Sequence, residues 1–162
     1  MKTLLLFLTL SALPFAGAQS FYVGGGGMLL AGVALSDPRL ETLLLPSVQL
    51  GGSVTPDFGL RLTVETNLTF ETGLTTTLIG ADALYLFSPV GPATTVYVGG
   101  GPDLVITPFF GSSLVLPSLH GTLGLEYRLE VFGLFAEVQP QIVPLFIGVF
   151  LTKVRAGVNL HF

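Results

Sequence analysis

The chain has 162 residues; half are apolar, 10% are charged, the formal net charge is −4 and there is no cysteine. Ordinary soluble domains carry about 25% charged residues, so this composition argues against a charge-solvated surface, and a weakly acidic chain is a poor nucleic-acid binder. Without Cys there is no disulfide framework, no thiolate metal site and no lipid attached through cysteine.

The N-terminus reads Met1-Lys2-Thr3, then the apolar run Leu4–Leu13, then Ala16-Gly17-Ala18. A basic start, a short apolar run and an A-x-A site form a secretory signal peptide. Cleavage after Ala18 divides the chain into a signal peptide, 1–18, and one domain, 19–162, of 162 − 18 = 144 residues. Beyond the leader, apolar stretches are broken by charges, proline or clustered glycine, as at Gly24–Gly27, Pro108 and Pro117. A helical span needs about 20 uninterrupted apolar residues. Membrane-like composition without helical spans fits exported strands with an apolar outer face.

Strand periodicity recurs along the chain. Phe21–Leu35 is Gly-rich and apolar on both faces, and Asp37-Pro38-Arg39 opens a loop to about Pro46. Ser47–Val54 alternates, and Pro56-Asp57-Phe58-Gly59 is a turn. Leu60–Phe70 is the clearest interior strand, with Leu60, Leu62, Val64, Leu68 and Phe70 opposite Arg61, Thr63, Glu65, Asn67 and Thr69. Leu74–Phe87, Thr94–Leu104, Ser118–Leu129 and Gly133–Ile142 follow, separated by turns at 71–73, 88–93 and 130–132 and by a long apolar loop, Val105–Pro117. A final strand closes the chain, starting after or within Pro144–Phe150. The count is about eight. Short connections near 55–59, 88–93 and 130–132 alternate with longer ones near 36–46, 105–117 and 143–150, the inside-short, outside-long pattern of outer-membrane barrels. Phe21, Tyr22, Phe58, Tyr85, Phe87, Tyr127, Phe132 and Phe162 fall at one end of the strands, and Phe70, Phe109, Phe110, Phe146 and Phe150 at the other, as two aromatic girdles require.

The last nine residues, Val154-Arg155-Ala156-Gly157-Val158-Asn159-Leu160-His161-Phe162, alternate strictly. With the leader and the alternating strands, they give the chain its resemblance to the small outer-membrane β-barrels of the OmpA and OmpX type. The resemblance implies an all-β, antiparallel up-and-down transmembrane barrel of about eight strands in the bacterial outer membrane, exported across the inner membrane. It implies a monomer in contact with outer-membrane lipid. It also implies recognition by the barrel-assembly machinery through the C-terminal strand, with Val154, Val158, Leu160 and Phe162 as the signal.

Turning the apolar faces to lipid puts Arg61, Glu65, Asp82, Asp103, Glu126, Arg128, Glu137 and Arg155 in the lumen, because an Arg or Lys on the lipid face at mid-depth costs about 2–4 kcal/mol. An eight-stranded lumen is just wide enough for side chains to fill. A structural or surface-contact protein follows, with a surface partner met through the outer loops. The alternative is a narrow conduit for apolar solutes, for which inward glycines at 24, 26, 51, 99, 101, 124 and 157 would leave room. Ser118, His120 and Asp103 are the one set able to carry catalysis, as a lipid hydrolase at the outer rim, yet i,i+2 side chains on a strand stand about 7 Å apart, too far for a nucleophile and its base. The chain therefore reads as a non-enzyme. Two His without Cys do not make a structural metal site, and no motif implies a cofactor. A secreted soluble barrel would need the opposite facing, charges out and apolar residues in.

Overall fold

The computed structural model describes residues 20–34, 37–67, 76–87, 93–109, 112–143 and 149–162. Among these all regular structure is strand: β1 Ser20–Ala34, β2 Asp37–Thr55, β3 Phe58–Thr66, β4 Thr77–Leu86, β5 Thr94–Phe109, β6 Ser112–Leu129, β7 Phe132–Ile142 and β8 Val149–His161. Each strand pairs antiparallel with the next, and β1 pairs with β8, so the sheet closes into a barrel. Closure leaves no strand edge along the shared length, which is what allows a sheet to sit in lipid.

Two strand pairs are longer than periodicity indicates. The expected loop Val105–Pro117 is instead a continuation of the β5–β6 ladder, through Val105↔Leu116 and Thr107↔Leu114 to Phe109↔Ser112. The expected loop at 36–46 is likewise mostly ladder, with Glu41↔Gly32 and Pro46↔Gly27 pairing β2 to β1. Proline misleads here for a definable reason. It is tolerated at a strand edge where its missing N–H has no partner to serve. β3 joins β2 only from Ser47↔Glu65, so Pro38 and Pro46 lie beyond that ladder. Pro108 and Pro117 lie beyond the last described β4 and β7 pairs, Thr77↔Ile106 and Leu119↔Ile142. Phe70 and the turn at 71–73 lie outside the described residues, as do residues 1–19, 88–92 and 144–148.

The period of two sorts side chains strictly. Along β7, Gly133, Phe135, Glu137, Gln139 and Gln141 are buried while Leu134, Val138 and Ile142 are exposed. Sixteen polar or charged residues are buried among the described residues, against seven apolar or aromatic ones. The outer wall is the reverse: Val48, Leu119 and Leu123 are 58–61% exposed. Among described side chains the exposed charges are Asp57, Arg128 and Glu130, all at the end where β1 starts and β8 finishes, the termini end of the barrel. A polar interior inside an apolar wall overturns the soluble alternative, in which burial of apolar area drives folding.

At the termini end, Phe58, Tyr85, Phe87, Tyr127, Phe132 and Phe162 project outward, and Phe21 packs on Phe162 with ring centroids 6.1 Å apart. Tyr22 departs from its expected place in this girdle. It lies inside, across Gly51, its direct cross-strand partner. The side chains of the opposite aromatic set, Phe70, Phe109, Phe110, Phe146 and Phe150, lie outside the described ones.

Candidate functional site: a closed ring of buried charges

Alternation delivers one inward polar side chain every second residue, and in a closed barrel these converge on a single axis. The result is a ring of eight ionisable groups with alternating sign. Asp82 pairs with Arg61 Nε at 3.0 Å, and Arg61 Nη1 reaches Glu137 Oε2 at 2.7 Å. Glu137 pairs with Arg155, whose Nε lies 2.9 Å from Glu65 Oε1. Lys153 Nζ stands 3.8 Å from Glu65 Oε2 and 3.0 Å from Asp103 Oδ2. His120 closes the circle, with Nδ1 3.0 Å from Asp103 Oδ2 and Nε2 2.7 Å from Asp82 Oδ1. The Asp103 contact is at ion-pair distance but outside hydrogen-bond geometry. With His120 protonated, the ring holds four charges of each sign. Every member's side chain is at most 3% exposed.

Neutral groups fill around the ring. Thr122 Oγ1 donates to Asp82 at 2.8 Å, Tyr97 Oη to Glu137 at 3.0 Å, and Gln141 Nε2 to both Asp103 and Ser118 Oγ. Arg155 Nη2 donates to Gln49, Gln49 to Asn159, and Asn159 to Glu126, which carries the network to the termini end. Beside the ring, Met28, Leu45 and Leu78 are buried together with Val105 against them, an apolar cluster next to Arg155 and Glu65, the cross-strand partners of Met28 and Leu78. At the termini end a cavity of about 310 Å³ opens, lined by Tyr22, Tyr97, Glu126, Arg128 and His161 among others.

Of the eight residues expected in the lumen, six are in the ring: Arg61, Glu65, Asp82, Asp103, Glu137 and Arg155. Glu126 sits at the cavity instead, 2.8 Å from His161 Nε2. Arg128 is a correction: its side chain is 49% exposed at the mouth, beside His161. It stands one residue from the end of β6, where the inward direction already opens to solvent. A Cβ at each inward glycine would meet a close neighbour. Gly51 and Gly124 are roofed by the rings of Tyr22 and Tyr97, Gly24 by Asn159, and Gly26, Gly99, Gly101 and Gly157 lie against neighbouring backbone. Such Tyr-over-Gly pairs are a known way of filling space on a sheet.

The structure places Ser118, His120 and Asp103 within the lumen at 2%, 7% and 2% exposure, rather than at a lipid-facing rim. Asp103 meets His120, but the other imidazole nitrogen meets Asp82, and Ser118 Oγ accepts from Gln141. Val154, Val158, Leu160 and Phe162 point outward, 42–77% exposed.

Sequence reasoning missed Lys153 and His120 as ring members. Lys153 was not assigned to the lumen, although it lies two residues before Arg155 and shares its face by period. His120 lies on the same face as Ser118 and Thr122; its two acidic neighbours come from β4 and β5 and are set by register alone.

An eight-stranded antiparallel barrel, with charges buried within and, among the described residues, exposed charges only at one end, is the architecture of the small outer-membrane barrels. The chain is similar in fold to Neisserial surface protein A, with a TM-score of 0.67 and 19% identity over 88% of this chain and 97% of that one. It is also similar to Ail, the attachment invasion locus protein of Yersinia pestis, with a TM-score of 0.65 and 14% identity over 88% and 98% of the two chains. The N-terminal β-barrel domain of Pseudomonas aeruginosa OprF gives a TM-score of 0.62 and 20% identity over 90% and 99%. No protein-family model and no curated protein matches the chain.

Proposed function

We propose that the protein is an integral outer-membrane β-barrel with a structural or surface-contact role and a lumen closed by its own side chains. The observation that carries this reading is the cross-lumen contact of Arg61 with Glu137 within a closed eight-membered charge ring. A charge ring that spans the bore supports a lumen filled by side chains over a conduit. Two of the similar folds are named a surface protein and an attachment invasion locus protein, and contact at the cell surface is the role carried over here. The reading includes export behind the signal peptide 1–18 and recognition of Val154, Val158, Leu160 and Phe162 by the barrel-assembly machinery. It also includes a monomeric state in outer-membrane lipid. It is non-enzymatic: His120 is engaged by two carboxylates, and Ser118 Oγ accepts from Gln141 instead.

The test has two parts. The protein should appear in the outer-membrane fraction as a band whose electrophoretic mobility changes on boiling. Purified barrel in planar bilayers should give no steady conductance. A soluble periplasmic protein of one mobility overturns the location, and stable conductance with solute uptake overturns the closed lumen in favour of a conduit.

A further inference from the structure

The two long hairpins differ in a way that location in a membrane must respect. β1–β2 and β5–β6 lie on opposite sides of the barrel, four strands apart. The β1–β2 arm carries Asp37, Arg39 and Glu41 near its tip, whereas Leu104–Leu125 contains no Asp, Glu, Lys or Arg at all. Along the outer face of that stretch Leu104 is 44%, Val115 51%, Leu119 58% and Leu123 59% exposed, and Pro117 is exposed between them. The apolar wall therefore runs without interruption from mid-barrel to Val115, near the start of β6.

Length makes the asymmetry consequential. β7 has 11 residues, which at about 3.4 Å per residue and a tilt of about 40° rise some 28 Å. That matches an apolar band of about 25 Å. β6 has 18 residues and rises about 45 Å by the same arithmetic. If the barrel stood upright, roughly 20 Å of charge-free wall would stand above the band, a large exposed patch of the kind that marks an interaction surface.

We propose that the β5–β6 arm, Leu104–Leu119, is a lipid-docking surface on which outer-leaflet acyl chains lie, the barrel leaning toward this side. This rests on the outer-membrane reading above. Lipid is the occupant the observations favour over protein. The wall is continuous with the mid-barrel apolar face. No charge offers ionic recognition. The free edges of the arm carry Pro108 and Pro117, which cannot donate to an added strand. A hydrophobic face taller than its bilayer is accommodated by tilt.

The native chain has no Cys, so single-cysteine labels report without background. Val115→Cys and Leu104→Cys, with Leu123→Cys as the mid-wall reference and Asp57→Cys as the turn reference, are labelled with an environment-sensitive fluorophore. The barrels are refolded into phosphatidylcholine vesicles carrying brominated acyl chains. All four positions are exposed, and heat-modifiable mobility checks that each variant folds. The expected result is quenching at 115 and 104 by the bromines to the degree seen at 123, with protection from aqueous iodide. Iodide quenching at 115 equal to that at 57, with 123 still quenched by bromine, overturns the lipid arm and leaves the membrane reading standing. Iodide access at 123 as well overturns both. Shielding of 115 from both quenchers, with a disulfide-linked dimer of Val115→Cys, overturns lipid in favour of a second copy.

Discussion

Arg61 on β3 and Glu137 on β7 meet at 2.7 Å although their strands stand opposite each other in the barrel. Their contact is a strut across the bore. Glu137 also receives Arg155 and the Tyr97 hydroxyl, so four strands converge on one carboxylate. Taking one partner from a buried pair leaves an uncompensated charge, at a cost of about 3–5 kcal/mol. Glu137→Ala should lower stability by that amount, read from the urea midpoint of barrel refolded in vesicles. Arg128→Ala at the mouth should cost under about 1 kcal/mol, as exposed ion pairs do. Equal effects would mean that the ring is not load-sharing.

The glycines opposite the inward tyrosines carry a packing prediction. A Cβ on Gly124 would fall within the ring of Tyr97, which donates to Glu137 at 3.0 Å. Gly124→Val forces that ring away and should cost about 1–3 kcal/mol. Unfolding in urea measures it, and a loss of Tyr fluorescence anisotropy would report the freed ring.

The outer wall predicts an asymmetric tolerance for charge. Leu123 is 59% exposed in the middle of β6. Leu123→Arg should destabilise the vesicle-embedded barrel by about 2–4 kcal/mol. Asp57→Arg, in the turn, should stay within about 0.5 kcal/mol. A neutral Leu123→Arg would place that face in water.

One turn holds strain that can be relieved. Glu130 has φ 54° in the two-residue connection between β6 and β7. A left-handed conformation costs a residue with a Cβ about 1–2 kcal/mol, so Glu130→Gly should raise the urea midpoint. An unchanged or lower midpoint would show that the side chain or chain entropy outweighs the strain.

Much of the fold was legible because period two is local. Arg61, Thr63 and Glu65 declare their shared face within five residues, and the terminal Val154–Phe162 does the same. What misled was chemistry that depends on the neighbouring strand. Pro108, Pro46 and Pro117 break a ladder only where a partner expects their N–H, and the sequence does not say where partners end. Of the ring, the acids and the two arginines could be assigned to the interior, but the closed alternation could not. Asp82 and Asp103 flank His120 only through the register of β4, β5 and β6. The filling of Gly51 by Tyr22 is likewise a matter of register, since the two face each other across β1 and β2.

The seam between β1 and β8 runs from Tyr22↔His161 to Ala34↔Val149. Its two sides are the first and last strands of the domain, so the seam sets the clock for folding. Every other ladder joins consecutive strands; this one must wait until β8 has been brought around to β1. Non-local pairings of this kind fold slowly, and until then β1 offers a bare edge. Gly24–Gly27 lies on that edge, paired in the closed barrel with Asn159 through Ala156 of β8. Without β8 the sheet would keep its consecutive ladders but leave the circle open, with a bare edge on β1 and on β7.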